Sequence, residues 1–301
     1  MNKTFFGDGI DTAWHNALEA LVNYPEFTSS PREMPIKELI NTTIVVKNPR
    51  KRILTFEERK LSLRYLAGEV AFYLSGSRDL KFISHYSKFW NRVSDDGKVV
   101  NSCYGYKLFK VLTKGLSQFE YAKQQLLEDP NTRRAVMVIY TGDNAILNSK
   151  DNPCTMYVQF FIRNWHLYCI TNIRSNDIWY GVSYDIPFFT IIQELMLNHL
   201  KKADYDLFGS LELGSFILNS GSLHLYEKDF KQAQRALINP HRFPYKEEMA
   251  PMEISSVQLI ETYLDIERRY RLRGEVMQSS NLLNDKFLSQ LRDFLLEEKS
   301  E

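Results

Sequence analysis

Cysteine is scarce in this chain of 301 residues: Cys103, Cys154 and Cys169 are the full complement. The number is odd and no pair stands at C-x-x-C spacing, which excludes a disulfide framework and a zinc site and fits a reducing compartment, the cytoplasm. No apolar run reaches the roughly 18 residues of a membrane span, and no signal peptide is recognisable. An excess of one charge is lacking too. With 38 Lys plus Arg against 37 Asp plus Glu the net charge is +1, which argues against a general nucleic-acid or membrane-surface binder and leaves room for a local basic patch. There is no H-E-x-x-H, no His/Cys cluster, no P-loop and no G-x-G-x-x-G, so no metal is predicted. Low-complexity stretches and internal repeats are also absent.

What is present is globular: 44% hydrophobic and 25% charged residues, in a chain long enough to bury about three quarters of its unfolded surface. Helical periodicity runs over Asp11 to Tyr24, Phe56 to Leu74 with Gly76 as the C-cap, Phe82 to Val93, and Tyr106 to Leu127. Thr28 to Glu33 reads as a loop and Thr42 to Val46 as β-rich. Arg134 to Tyr140, Met156 to Ile162 and Leu167 to Ile173 read as strands, the last two joined as a hairpin across Arg163-Asn164-Trp165-His166. Asp185-Ile186-Pro187 opens an apolar helix through Leu200, with Pro187 in a tolerated first-turn position. Leu211 to Leu225 returns to strand. Leu283, Phe287, Leu288, Leu291, Phe294 and Leu295 form a last helical stripe, an extension over about 280–298. No linker divides the chain. The expectation is an α+β single domain, 1–301, with a mixed, mostly antiparallel sheet covered by helices.

Four places carry groups that packing alone does not explain. Cys154, at the entrance to a strand after a polar stretch, is a nucleophile if nearby cations lower its pKa; the alternative is the small buried hydrophobe that free cysteine commonly is. Arg133-Arg134 and Arg174-Ser175-Asn176-Asp177 sit at element ends, where arginine forks and a hydroxyl suit a phosphate, or where ordinary surface ion pairs form. Glu69 lies in the apolar helix Leu66 to Leu74, either facing water or held at a site where burial raises its pKa toward general acid–base range. His224 and Tyr226 share one face of a strand and suit a sugar hydroxyl, against the alternative of a satisfied interior histidine.

In order and together, these pieces resemble the thymidylate synthase superfamily. Asp129-Pro130-Asn131-Thr132-Arg133-Arg134 is similar to its phosphate-binding arginine pair, and Pro153-Cys154 with Gln159-Phe160 to its nucleophile segment. Arg174-Ser175-Asn176-Asp177 with Gly181 resembles its R-S-x-D-x-x-x-G segment. Ser222 to Tyr226 resembles its sugar-binding H-x-Y, and Glu69 its active-site glutamate. Trp90 and Tyr104-Gly105 fall in the order of its folate-side residues. The likeness is clearest over 64–228. Arg32 is placed as the loop arginine that closes on phosphate, although the family's glycine-rich loop is missing.

Two departures carry information. Thr155 stands where thymidylate synthases have His, and Asp185 stands where they have the Asn that reads uracil. Cytosine offers an amino donor at C4 and an acceptor at N3; a carboxyl accepts from the first and shares a proton with the second, whereas an amide sets NH₂ against NH₂. An unpaired buried polar group costs about 1–3 kcal/mol, enough to change substrate preference. With Trp90-x-x-Val93 and Asn101-Ser102-x-Tyr104-Gly105, these changes look most like bacteriophage deoxycytidylate (dCMP) hydroxymethylases, enzymes of phage DNA modification, and the compartment is then the host cytoplasm.

That resemblance implies a folate-dependent transferase. Cys154 adds to C6 of dCMP, C5 takes the one-carbon unit of 5,10-methylene-tetrahydrofolate, and water adds to the resulting exocyclic methylene to give 5-hydroxymethyl-dCMP. Glu69 organises water and proton transfers, Asp185 reads the base, and Trp90 and Asp177 face the folate. Arg174, Ser175 and Asn176 belong to the nucleotide-binding set with Gln159, His224 and Tyr226. Arg133 and Arg134 reach the phosphate from the partner of a two-fold homodimer. The alternatives are a methylating relative acting on dCMP or dUMP, a CMP hydroxymethylase, and a non-catalytic nucleotide- or RNA-binding relative.

Overall fold

The computed structural model describes residues 3–275 and 284–297. In chain order its first half contains β1 (Thr4–Gly7), α1 (Ile10–Asn23), β2 (Phe27–Ser29), β3 (Ile36–Val46), α2 (Leu63–Ser75), α3 (Leu80–Tyr86), α4 (Trp90–Val93), α5 (Tyr104–Phe109), β4 (Leu112–Thr113), β5 (Leu116–Ser117), α6 (Gln118–Glu128) and β6 (Val136–Val138). There follow β7 (Thr155–Arg163), β8 (His166–Asp177), α7 (Val182–Ala203), α8 (Tyr205–Phe208), β9 (Glu212–Tyr226), α9 (Phe230–Ile238), α10 (Ile254–Arg273) and α11 (Lys286–Leu296).

Contacts gather these elements into two compact units. One takes Met1–Leu61, Val158–Gln193 and Glu212–Met249; the other takes Ser62–Tyr157, Glu194–Leu211 and Ala250–Glu301. Each is assembled from three stretches of chain, so no linker exists for composition to betray.

The first unit is built on a sheet in the order β1-β3-β9-β8-β7, with β2 paired to β3. It is mixed: β1 and β3 are parallel, β3 and β9 antiparallel, β8 and β9 parallel. Residues of β9 alternate between buried and half-buried from Leu213 to Ser220, the period-two signature of a strand with one face in the core. The hairpin between β7 and β8 turns at Asn164 and Trp165, both with positive φ (50° and 55°), as a two-residue primed turn requires. Behind the sheet, the buried Trp14 indole of α1 donates to Ile178 O at 2.7 Å and lies against Phe56 and Trp179.

The second unit is helical around α2, which contacts α3, α5, α10 and α11. Ser62 caps α2 by accepting from Tyr65 N, and Gly76, at φ 65°, ends it as expected. In this unit the N–H groups of Ile139 and Tyr140 donate to Met156 O and bring the chain after β6 alongside the start of β7.

Several boundaries differ from the sequence reading. The helix expected from Phe56 starts only at Leu63, because Glu57–Arg59 forms a 3₁₀ turn and Lys60 enters the left-handed region at φ 48°. The helix expected over Phe82 to Val93 is two short ones, α3 and α4. The helix expected over Tyr106 to Leu127 is α5 and α6, parted by the small β4–β5 hairpin that turns on Lys114 (φ 52°) and Gly115 (φ 82°). Strand β3 begins six residues before the β-rich run, held by its pairing with β9 from Ile36↔Tyr226 onward. Of the C-terminal stripe, Phe287, Leu288, Leu291 and Leu295 are buried on α11, whereas Leu283 lies outside the described residues.

One close approach fixes α5 against α2. A Cβ on Gly105 would stand 1.8 Å from the Tyr73 carbonyl oxygen, and Tyr104 stacks on Tyr73 with centroids 5.2 Å apart. Gly105→Ala is therefore expected to destabilise the protein by about 1–3 kcal/mol or more. Gly142→Ala, where a Cβ meets nothing within 4 Å, is the control and should stay within about 0.5 kcal/mol of the parent in urea unfolding.

Candidate active site

Glu69 sits on α2 among Leu66, Ala67, Gly68, Val70, Ala71 and Phe72, all buried, and is itself only 8% exposed. Tyr65, Glu69 and Tyr73 follow one another at intervals of four and share a helix face. Tyr65 donates to Glu69 Oε1 at 2.7 Å, and Tyr73 donates to the same oxygen at 3.4 Å. The Trp90 indole N–H donates in turn to the Tyr65 hydroxyl at 3.1 Å. Burial pushes the Glu69 carboxyl up to about 7, against the two tyrosine hydrogen bonds, which favour the ionised form. Oε2 accepts no hydrogen bond among the described residues.

The three thiols are unalike. Cys103 and Cys169 are buried, and burial holds both in the protonated form, Cys103 up to about 12 and Cys169 higher still. Cys103 donates to Ser77 O at 3.0 Å. Cys154, immediately before β7, is half-buried. The loop leading to it is pinned: the buried Asp151 accepts from the N–H groups of Asn101 and Ser102, and Asp95 accepts from Ser149 Oγ at 2.7 Å and Lys150 N at 2.8 Å. Thr155 is fully buried, and its hydroxyl has no hydrogen-bond partner among the described residues. Arg133 and Arg134 are exposed at the end of a turn in which Asp129 Oδ1 accepts from Asn131 N at 2.9 Å and Thr132 Oγ1 from Arg134 N at 3.2 Å.

In the first unit the end of β8 presents Arg174 exposed and Ser175 half-buried. Asn176 is buried, its Nδ2 donating to Ser220 Oγ at 3.3 Å, and a Cβ on Gly181 would meet Asn176 Oδ1 at 2.8 Å. Asp177 Oδ1 accepts from Trp179 N at 2.8 Å and Tyr180 N at 3.2 Å. Burial, with the neighbouring Asp229 charge adding to it, raises the Asp177 carboxyl to about 6 despite those bonds. Asp185 is half-buried in the first turn of α7, its N–H bonded to Gly181 O at 2.9 Å, where the helix dipole favours an acid.

His224 is 5% exposed, and burial lowers its pKa against the opposing charge of Glu38. Its Nδ1 is 3.4 Å from Ser222 Oγ, which donates to Glu38, and its ring meets Tyr226 edge-on. Gln159 is half-buried on β7. Arg32 is exposed in a short turn where both it and Glu33 take positive φ (52° and 62°).

Thus Glu69, Trp90, Arg133, Arg134 and Cys154 belong to the second unit, and Arg32, Gln159, Arg174, Ser175, Asn176, Asp177, Asp185, His224 and Tyr226 to the first. Direct bonds join Glu69 to Trp90 through Tyr65, and ring contact joins His224 to Tyr226. Sequence reasoning passed over Tyr65 and Tyr73, although their four-residue spacing from Glu69 was there to read. It also passed over Glu38, which reaches His224 only through the β3–β9 register and left no local signal.

The family model described as Thymidylate synthase matches residues 33–266. The chain is 31% identical over 238 residues to the deoxyuridylate hydroxymethyltransferase of Bacillus phage SP01, an alignment covering 75% of this chain and 60% of that protein. It is 27% identical over 198 residues to the deoxycytidylate 5-hydroxymethyltransferase of Enterobacteria phage T4, with 64% and 76% covered. It is 25% identical over 170 residues to the thymidylate synthase of Vesicomyosocius okutanii, with 55% and 61% covered. The chain therefore spans less than two thirds of the length of the SP01 protein. With well over half of its residues matched by that one model, this chain belongs to the thymidylate synthase family.

Proposed function

We propose that this chain transfers a one-carbon unit to C5 of a pyrimidine deoxynucleotide, converting dCMP to 5-hydroxymethyl-dCMP. The phage relatives from SP01 and T4 are both named as hydroxymethyltransferases, and they differ in base. The observation that carries the choice of base is Asp185: an acid, not an amide, in the first turn of α7. The greater identity to the deoxyuridylate enzyme favours dUMP as the second reading.

In this reading Cys154 is the nucleophile that adds to C6, the half-buried thiol where the other two are buried and protonated. Asp185 accepts from the C4 amino group and shares a proton with N3. Glu69, poised near neutrality, moves protons to and from water at the base, a role worth roughly 10²–10⁴-fold. Thr155, buried, takes no part in proton transfer. Arg32, Arg174 and Ser175 hold the phosphate together with Arg133 and Arg134 of the partner subunit, with Gln159 and Asn176 in the nucleotide-binding set, and His224 and Tyr226 hold the sugar. The donor set suits 5,10-methylene-tetrahydrofolate, which when bound supplies the one-carbon unit: Asp177 Oδ2 accepts no hydrogen bond among the described residues and is the acceptor that a pterin N–H needs. Asp177 and Trp90 would hold it.

The functional unit is a homodimer formed through the half-buried face of the first unit's sheet. There Val45, Ile217 and Ile170 lie in one row, and Thr43, Asn219 and Asn172 in the next. Thr43 donates to Asn219 Oδ1 at 2.9 Å and Asn219 to Asn172 Oδ1 at 3.3 Å, leaving the buried Asn172 Nδ2 a donor without an acceptor in one copy. A second copy across a two-fold axis supplies one. Ile217→Arg should convert the dimer to monomer in light scattering; a retained dimer would reject this face as the interface.

Two further outcomes are expected. Incubated with tritiated [5-³H]dCMP and 5,10-methylene-tetrahydrofolate, the protein should release tritium and form a product heavier by CH₂O, with no dihydrofolate absorbance; Cys154→Ala should abolish the release. Asp185→Asn should move the dCMP/dUMP preference toward dUMP by a factor of roughly 10–100. A CH₂ gain with dihydrofolate would instead mark a methylating enzyme.

The Glu69 carboxyl also makes a stability prediction independent of substrate. Its folded pKa of about 7 lies above the ordinary 4.5, so its contribution to stability is fully present below pH 4.5 and is lost as pH rises through 7. At pH 8 the ionised group costs on the order of 3 kcal/mol. Glu69→Gln should therefore melt above the parent at pH 8, with the difference shrinking toward pH 5; a difference that does not change with pH would overturn the assignment.

A further inference from the structure

Glu69 has two oxygens in unequal surroundings, and the inequality follows from what its neighbours can do. An indole N–H donates and accepts nothing. Trp90 therefore donates to the Tyr65 oxygen, and the Tyr65 hydroxyl donates to Glu69 Oε1. Tyr73 adds a second, longer donor to the same oxygen. The direction of the chain, Trp90 to Tyr65 to Glu69, is fixed by chemistry. Oε1 is already receiving donors, so a proton bound by this carboxyl resides on Oε2.

We propose that Tyr65 is a positioning residue for Glu69: held from behind by Trp90, it occupies Oε1 and so confines the carboxyl's proton exchange to Oε2. The proposal rests on the reading of Glu69 as the group that moves protons for one-carbon transfer, and adds which oxygen does so and what sets it. It also gives Trp90 a second task. Its N–H is committed to Tyr65, so movement of the indole alters the Tyr65–Glu69 bond, linking the folate-side aromatic to the proton-transfer group.

The titratable groups around this bond leave Glu69 as the one that changes charge near neutrality. Burial raises Tyr73 well above the ordinary phenol range, with Glu69, Tyr104, Tyr65 and Cys103 contributing in the same direction. Cys103 itself is pushed up to about 12. Among the groups facing this bond, a pH response centred near 7 belongs to the Glu69 carboxyl, and Glu69→Gln separates it from Asp177 and Glu247, whose carboxyls burial also raises.

The test is Tyr65→Phe, which keeps the ring and removes the hydroxyl. The Glu69 titration is followed without substrate by carboxyl ¹³C NMR in the full chain, with Glu69→Gln identifying the signal. Loss of a donor to the ionised form should raise the midpoint by about one pH unit. The pH profile of kcat should shift the same way, with kcat falling roughly tenfold and the nucleotide KM unchanged. Trp90→Phe, which leaves the phenol and removes only its donor, should raise the midpoint by a smaller amount, and it decides the matter if Tyr65→Phe does not fold. A midpoint unmoved in the folded variants overturns the proposal. Because the titration needs no substrate, inactivity of the parent toward both dCMP and dUMP would overturn the functional reading and leave this result standing.

Discussion

The second unit depends on a carboxyl that its own helix does not want. On α2, Glu69 is surrounded by buried apolar neighbours, and ionising it there without partners would cost far more than a helix can absorb. Two tyrosines one turn away on either side supply hydrogen bonds, enough to hold the pKa at about 7 but not to restore a normal acid. The second-unit geometry follows from keeping those hydroxyls in place. Tyr73 is clamped by the stack with Tyr104, which in turn requires Gly105 to let α5 approach the Tyr73 carbonyl. Tyr65 is held by Trp90, which fixes α4. Burial, aromatic packing and one missing Cβ thus converge on a single oxygen atom.

The same physical rule separates the cysteines. Composition treats the three alike, but a thiol enclosed in apolar packing stays protonated, as Cys103 and Cys169 do, and only Cys154 keeps partial access at a strand entrance. The Asp151 and Asp95 carboxylates tie the loop before it to the 95–102 segment, so the nucleophile proposed for the reaction stands on a braced support rather than a free loop.

Much of this was legible in the sequence, for identifiable reasons. Strands β7, β8 and β9 were visible because a sheet with one face in the core imposes a period of two, and the hairpin turn at Asn164-Trp165 stood where polarity interrupted it. The apolar helix that became α7 and the cap at Gly76 were equally clear. Two long helical readings failed where a left-handed residue intervened, at Lys60 and at Lys114-Gly115, since Lys carries no marker for positive φ, and the third broke where Ser87 turns extended. Candidate residues were found where chemistry is local, as in Arg174-Ser175 or His224-x-Tyr226. The Trp90–Tyr65 bond joins positions 25 apart, and Glu38 meets His224 only through sheet register; nothing short-range encodes either.

In the proposed reaction, base choice and the fate of the methylene are separable problems. The SP01 and T4 relatives carry names that differ in base and agree in the hydroxymethyl group transferred. In the proposed reading, a single side chain in the first turn of α7 distinguishes an amino group from a carbonyl, because the discrimination is one donor–acceptor reversal. In the proposed reaction the addition of water to the methylene calls on a proton-transfer group, Glu69, which belongs to the other unit. There α4 carries Trp90 and, one turn on, the half-buried Val93. The two phage relatives differ by name in base while both are hydroxymethyltransferases, and in the proposed reaction the base contact at Asp185 and the proton-transfer group Glu69 come from different stretches of the chain, so each can be varied on its own.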